Sequence, residues 1–272
     1  MKNRLITFAL ILILCLGLAL LLYPSVSDYW NSLHQSQAIA SYVEAVASID
    51  TDKYKEIWDA AYAYNDELAR QGNTWILSDE QRRNYERQLS VTENGAISYI
   101  EIPTINCNLP IYHGTSDAVL QVAIGHIDGS SLPTGGESTH CVLSGHRGLP
   151  SAQLFSRLDQ LVVGDVFFIQ TLDQTLTYEV DQILIVLPHE MDALFIEPGK
   201  DLCTLVTCTP YGVNSHRLLV RGHRIENIEQ AESVRIVADA IQIEPLVVAP
   251  TVAIPMLLIL LFILMVSTRK KR

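Results

Sequence analysis

"CTLVTCTPYGVNSHRLLVRGHRI", residues 203–225, decides the fold. Two runs of β-branched and apolar residues, "CTLVTCT" and "RLLVRGHRI", flank a segment with Pro210, Gly212 and Asn214, all turn formers. Eight residues separate Cys208 from Arg217, so the runs read as neighbouring strands of a long-looped hairpin. A cysteine closes the first strand and an arginine opens the second. Cysteines favour protein interiors, so Cys208 is either a packed strand residue or a nucleophile with a cationic neighbour.

The same texture extends upstream. From Ala96 onward "AISYIEIP", "CVLSG", "DVFFIQ" and "TLTYEVDQILIVLP" are short strand-like runs, with loops marked by "LPTGGEST" and "IEPGKD". "SAQLFSRL" reads as one short helix. Many short strands and few helices predict a mostly β fold over residues 96–226, closed or sandwiched. Residues 36–89 have a helical period instead. Ile39, Val43 and Val46, then Tyr54, Ile57, Trp58, Ala61 and Tyr62, recur at three and four. Gly72 and Asn73 break that pattern, and Ser78 with Gln81 would cap a further helix.

The ends of the 272-residue chain are apolar. "LITFALILILCLGLALLL" (residues 5–22) and "PLVVAPTVAIPMLLILLFILMV" (residues 245–266) carry no charge, and each is about long enough to span a bilayer. A cleaved signal peptide is the alternative for the first. Its run exceeds a usual signal core, and "YPSVSDYW" offers no Ala-x-Ala site. Basic residues lie outside both blocks, which places both termini in the cytoplasm and the middle outside. The expected layout is a cytoplasmic N-terminus (1–4), an anchor (5–22), a helical region with a candidate lid (23–95), the β domain (96–226), a linker (227–244), a transmembrane helix (245–266) and a basic cytoplasmic tail (267–272). Between the apolar blocks lie all 30 acidic residues but only 13 of the 19 basic ones, a net charge near −17. Such a domain is a poor partner for nucleic acid or anionic lipid.

Chemistry converges on three residues. His146 lies in "LSGHRG", at the exit of the strand-like "HCVLSG", where Gly145 and Gly148 give the backbone freedom to turn. An imidazole or guanidinium near a thiol favours the thiolate, which is the nucleophile. A guanidinium also holds a carbonyl and the oxyanion formed on attack. Cys208, His146 and Arg217 together point to acyl transfer through a thioester. No Cys-x-x-Cys pair or spaced histidines indicate a metal site.

"TLVTC" followed by Arg217, with "LSGHRG" upstream, resembles the sortase family. "YIEIPTINCNLPIYHGTS", "GHIDGSSLPTGGESTHCVLSGHRGLPSAQLF" and the double anchor are similar to its class C members, the pilin polymerases of Gram-positive bacteria. The resemblance implies a closed eight-stranded β-barrel transpeptidase that needs no cofactor. It would cleave an LPxTG-like sorting signal and transfer the acyl group to a pilin lysine. It implies Cys208 as nucleophile, His146 as general acid and base, Arg217 as oxyanion partner, and Thr207 as a substrate contact. Its partners would be pilin subunits in a Gram-positive cell membrane. A housekeeping sortase acting on peptidoglycan, a secreted cysteine protease and a non-catalytic scaffold are the other readings.

Class C sortases usually carry an Asp-Pro-aromatic lid. "QGNTWILSDEQRR" (residues 71–83) lacks that dipeptide, leaving Trp75 as candidate lid aromatic and Asp79 as candidate anchor, and predicting a less occluded site. Arg147 reads as a salt-bridging loop residue and Ser144 as a turn residue. His126, His140, His216 and His223 read as structural. Cys107, Cys141 and Cys203 read as packing, with a Cys141–Cys203 disulfide left open.

Overall fold

The computed structural model describes residues 2–227, so the predicted helix at 245–266 and the basic tail lie outside the described residues. Of the described residues, 30–227 belong to one compact unit and 2–29 to another. Helix α1 runs from Lys2 to Ala47 with Pro24 inside it. The apolar block and the first predicted amphipathic helix are thus one continuous element. From Leu5 it is long and apolar enough to cross a membrane, with a mean hydropathy of 3.1 over its most apolar window.

Helix α2 (Thr51–Gln71) starts where Asp50 caps the Lys53 amide, and it stops at Gly72, whose φ of 83° L side chains rarely adopt. Helix α3 (Asp79–Arg87) has the expected Ser78–Gln81 capping box. Eight strands follow: β1 (Ala96–Ile102), β2 (Cys107–His113), β3 (Ile124–His126), β4 (Thr139–Ser144), β5 (Val166–Thr171), β6 (Gln174–Val186), β7 (Asp201–Thr209) and β8 (His216–Ile225). They close into a barrel in the order β1-β2-β3-β4-β7-β8-β6-β5. Residues 151–158, read above as a short helix, are turns that lead into a 3-10 turn at Leu158–Gln160.

Strand alternation divides the barrel into two faces. Cys141, Leu143, Cys203, Leu205, Leu218 and Val220 belong to the main core. Val142, Val206 and Leu219 form a second cluster, covered by Leu194 of the β6–β7 connection. Cys141 and Cys203 are register partners and both are free thiols.

Each helix docks on the barrel through a buried polar side chain. Tyr42 of α1 donates to the Ile97 carbonyl at 3.0 Å and accepts from the Leu172 amide at 2.7 Å. Asn65 of α2 joins Leu132, through both its amide and its carbonyl, to the Thr134 hydroxyl. Removing one such partner would orphan buried groups, each at a cost of about 1–3 kcal/mol. Of the aromatic residues on α2, Trp58 is buried, whereas Tyr62 stacks on it from a 38% exposed position.

Tyr85 of α3 accepts from the Gly114 amide and lies 2.8 Å from Nδ1 of His126. Because Nε2 of His126 faces the Ser131 carbonyl at 2.8 Å, Nε2 carries the proton and Nδ1 accepts from Tyr85. His113 meets the Tyr85 ring edge-on at 4.7 Å. Burial and then the nearby His126 push the His113 pKa down to about 4. Below pH 6.5 the unfolded chain therefore gains a proton that the folded chain refuses until about pH 4. Stability is expected to fall across that window, by up to about 3 kcal/mol from this group. Thermal unfolding of His113→Gln should show a shallower acid slope than wild type between those limits; equal slopes would contradict the assignment.

Candidate active site

Cys208 sits near the end of β7, on the side opposite Thr207 and Thr209, and is partly exposed. Across the β7–β8 ladder its register partner is Arg217. The hairpin read from sequence is therefore formed, and its register pairs Cys208 with Arg217. Nη1 of Arg217 donates to the carbonyls of Asn214 at 3.2 Å and His216 at 3.1 Å. That fixes the side chain against its own loop and leaves Nε and Nη2 without a partner among the described residues. His216 pairs with Thr209, so it lies one step out of phase with Arg217 and points to the other face, as strand alternation requires.

The other neighbour of β7 is β4, which runs parallel to it with Ser144 level with Val206. Continuing that register by two residues brings His146 level with Cys208. The backbone supports the continuation. Gly145 N–H donates to the Val206 carbonyl at 3.1 Å, and the Thr207 hydroxyl donates to the Gly145 carbonyl at 2.7 Å. The amide of Phe155 then donates to the His146 carbonyl at 3.1 Å. No described residue hydrogen-bonds the His146 ring, and the residue is partly exposed.

Gly145 serves close approach: a Cβ there would lie 2.6 Å from Ile124 Cδ1 and 2.7 Å from the Phe155 ring. Gly148, with φ 79°, makes the turn, and its Cα faces Tyr211 so closely that a Cβ would lie 2.9 Å from that ring. Ser144 is the last residue of β4, not a turn. Thr207 is 2% exposed, and its hydroxyl is engaged with Gly145. This side chain therefore fixes the backbone entering His146 and does not face the outer surface where Cys208 lies.

The outer face beside Cys208 is roofed from two directions. The β6–β7 connection is tied down by buried His140, whose Nδ1 lies 2.8 Å from the Phe195 carbonyl and whose Nε2 lies 2.7 Å from Thr204 Oγ1. Arg221 adds ion pairs to Asp181 and Glu197, each at 2.9 Å. Burial pulls the His140 pKa below its ordinary value, which suits a neutral ring donating to the Phe195 carbonyl.

The second roof is the segment between α2 and α3. Trp75 packs against the Val142–Val206–Leu219 cluster and meets Phe195 at 5.9 Å. Asn73 staples the segment on both sides: its amide donates to the Gly129 carbonyl at 3.2 Å, and its oxygen accepts from the Ile196 amide at 2.9 Å. Gly129 permits this, since a Cβ there would lie 2.0 Å from the Thr74 carbonyl oxygen. Asp79, the expected anchor, is exposed in the first turn of α3, with no ion-pair partner among the described residues. The ion pair at this end is Arg82–Asp128, at 2.6 Å. The structural role read for His140 holds, but its partners, like those of Asn73, were not legible, because a lone polar residue in a loop or strand carries no signal of what it will bridge.

Residues 100–225 match the sortase domain family. Sortase C1 from Streptococcus agalactiae is 53% identical, with a TM-score of 0.69 over 71% of this chain and 100% of that one. Sortase C from Streptococcus pneumoniae, whose structure is described as bearing on catalysis and pilin substrate specificity, is 43% identical (TM-score 0.63; 70% of this chain, 97% of that one). Among curated relatives, sortase D from Bacillus subtilis is 32% identical over 48% of this chain, which spans 64% of that relative's length. With a closed eight-stranded barrel and these matches, the chain belongs to the sortase family, with sortases C among its structural neighbours.

Proposed function

We propose that this chain is a membrane-anchored cysteine transpeptidase of the class C kind, which cleaves an LPxTG-like sorting signal and joins it to a lysine of a pilin subunit. The observation that supports the reading is the register: Cys208 opposite Arg217 on β8, with β4, which leads into His146, running parallel along the other side of β7. Similarity to sortases C, one of them studied for pilin specificity, supports the pilin substrate. The apolar N-terminal helix supports anchoring, with the catalytic domain outside the cytoplasm of a Gram-positive bacterium.

In this reading the Cys208 thiolate attacks the threonine carbonyl carbon of the signal. A C–S bond forms, and Arg217 donates to the developing oxyanion. As the Thr–Gly C–N bond breaks, His146 gives its proton to the leaving amine. A neutral lysine ε-amine then attacks the thioester. The new C–N bond forms, the C–S bond breaks, His146 takes the amine proton, and the thiolate returns.

The roof formed by Trp75 over the neighbouring apolar face supports a lid held by Asn73 in place of an Asp-Pro-aromatic motif. In this reading the segment moves aside so that the signal can lie along β7.

Incubating the full chain with an LPxTG peptide and a lysine peptide is expected to give an isopeptide-linked product. Arg217→Ala should lower kcat by roughly 100- to 1,000-fold, as loss of an oxyanion donor does; a smaller effect than Arg147→Ala would remove Arg217 from that role. For the lid, alkylation of Cys208 by a small thiol reagent should be faster in Asn73→Ala, Trp75→Ala and Gly129→Ala than in wild type. Equal rates in all three would show that the segment does not guard the thiol.

A further inference from the structure

A second groove, about 340 Å³ in volume, opens on the other side of β7 from Cys208. Arg147, Asp159 and Leu161 wall it from the connection that follows His146; Thr209 at the end of β7 and Tyr211 beyond it wall it on the side that follows Cys208; Ile185 of β6 is part of its floor. The groove therefore ends between the two loops that leave the proposed catalytic residues.

Two observations mark it as a binding site. The first is Arg147, whose side chain is only 10% exposed. Its Nη2 pairs with Asp159 at 2.6 Å, its Nη1 lies 3.4 Å from the Thr209 hydroxyl, and its carbon stands 5.9 Å from the Tyr211 ring centre. Its Nε is enclosed and has no partner among the described residues. Its guanidinium lines the groove, and the long 3.4 Å contact of Nη1 with Thr209 leaves that donor able to meet a peptide carbonyl. The second is apolar exposure. Ile185 and Tyr211 in the groove, and Val162 and Val213 next along the chain from its walls, are each more than 60% exposed. Apolar groups gathered at one groove indicate a partner surface.

Building on the proposed function, we infer that this groove docks the lysine-bearing segment of the acceptor protein, separately from the sorting signal on the outer face. The chemistry fits one occupant. A lysine segment brings an apolar four-carbon stem for Ile185 and Leu161 and a backbone carbonyl for Arg147, and its positive charge suits a domain of net charge near −17. A long stem also lets the ε-amine pass the end of β7 and reach the acyl group on Cys208, which lies on the opposite face. Donor and acceptor then approach from different sides, and neither has to leave for the other to enter.

The test uses the full chain in detergent micelles with an LPxTG peptide as donor. Two acceptors are compared: Nα-acetyl-lysine methylamide, and an eight-residue peptide with one lysine flanked by apolar residues. The readout is the partition of the acyl-enzyme between isopeptide and hydrolysis. Wild type should favour the longer acceptor by about tenfold, the effect of roughly one good apolar contact. Ile185→Asp and, independently, Tyr211→Ala should abolish that preference. Retention of the preference in both variants overturns the inference, as does a loss of thioacyl adduct formation equal to the loss of transfer, which would assign the groove to the donor. Fluorescence anisotropy of the eight-residue peptide on the Cys208→Ala chain should show binding that Ile185→Asp weakens. This binding reports on the groove alone. A wild-type chain that binds the peptide but forms no adduct would defeat the transpeptidase reading and leave the docking site standing.

Discussion

The pairing of β7 with two different neighbours is the constraint on which the rest depends. β4 lies parallel on one side and β8 antiparallel on the other. Both registers are pinned by backbone hydrogen bonds, which set Arg217 opposite Cys208 and carry the chain into His146 alongside the end of β7. A one-residue slip in either pair would turn a side chain to the opposite face. The slip is resisted locally. Gly145 lets the chain pass over Phe155 and Ile124, and Thr207 holds the Gly145 carbonyl from within. His146 is thus positioned by residues that take no part in the chemistry proposed for it.

The two faces of β7 carry different work. The outer one presents Val206 beneath the β6–β7 connection and the Trp75 segment, with the partly exposed Cys208 next along the same face. Those covers are tied down by a few polar contacts: His140 and Arg221 for the first, Asn73 for the second. The Asn73 contacts, part-buried and few, open more readily than the barrel core. Such a roof can yield to a substrate while the register beneath it stays fixed.

How much of this was legible in the sequence follows from whether each feature is local. The β7–β8 hairpin could be read directly, since its turn formers and its spacing lie within residues 203–225. The capping box of α3 was equally local. The position of His146 beside Cys208 was not, because β4 and β7 pair in parallel across some 60 residues, and only the family resemblance joined them. Thr207 shows a signal left unused: a strand residue next to Cys208 must face the other way. Asn73 had no signal at all, since its two partners come from loops more than 50 residues downstream. The predicted short helix at 151–158 failed because that stretch is organised by the contacts of Phe155 with the His146 loop, not by its own period.

The central claim is that Cys208 carries the acyl group. Intact-mass measurement of the full chain after incubation with an LPxTG peptide tests it most directly. The expected result is an added mass equal to the peptide up to its threonine, mapped to Cys208 by fragmentation and absent from Cys208→Ala. Release of the cleaved peptide without any adduct on Cys208, or the same adduct forming on Cys208→Ala, would contradict it.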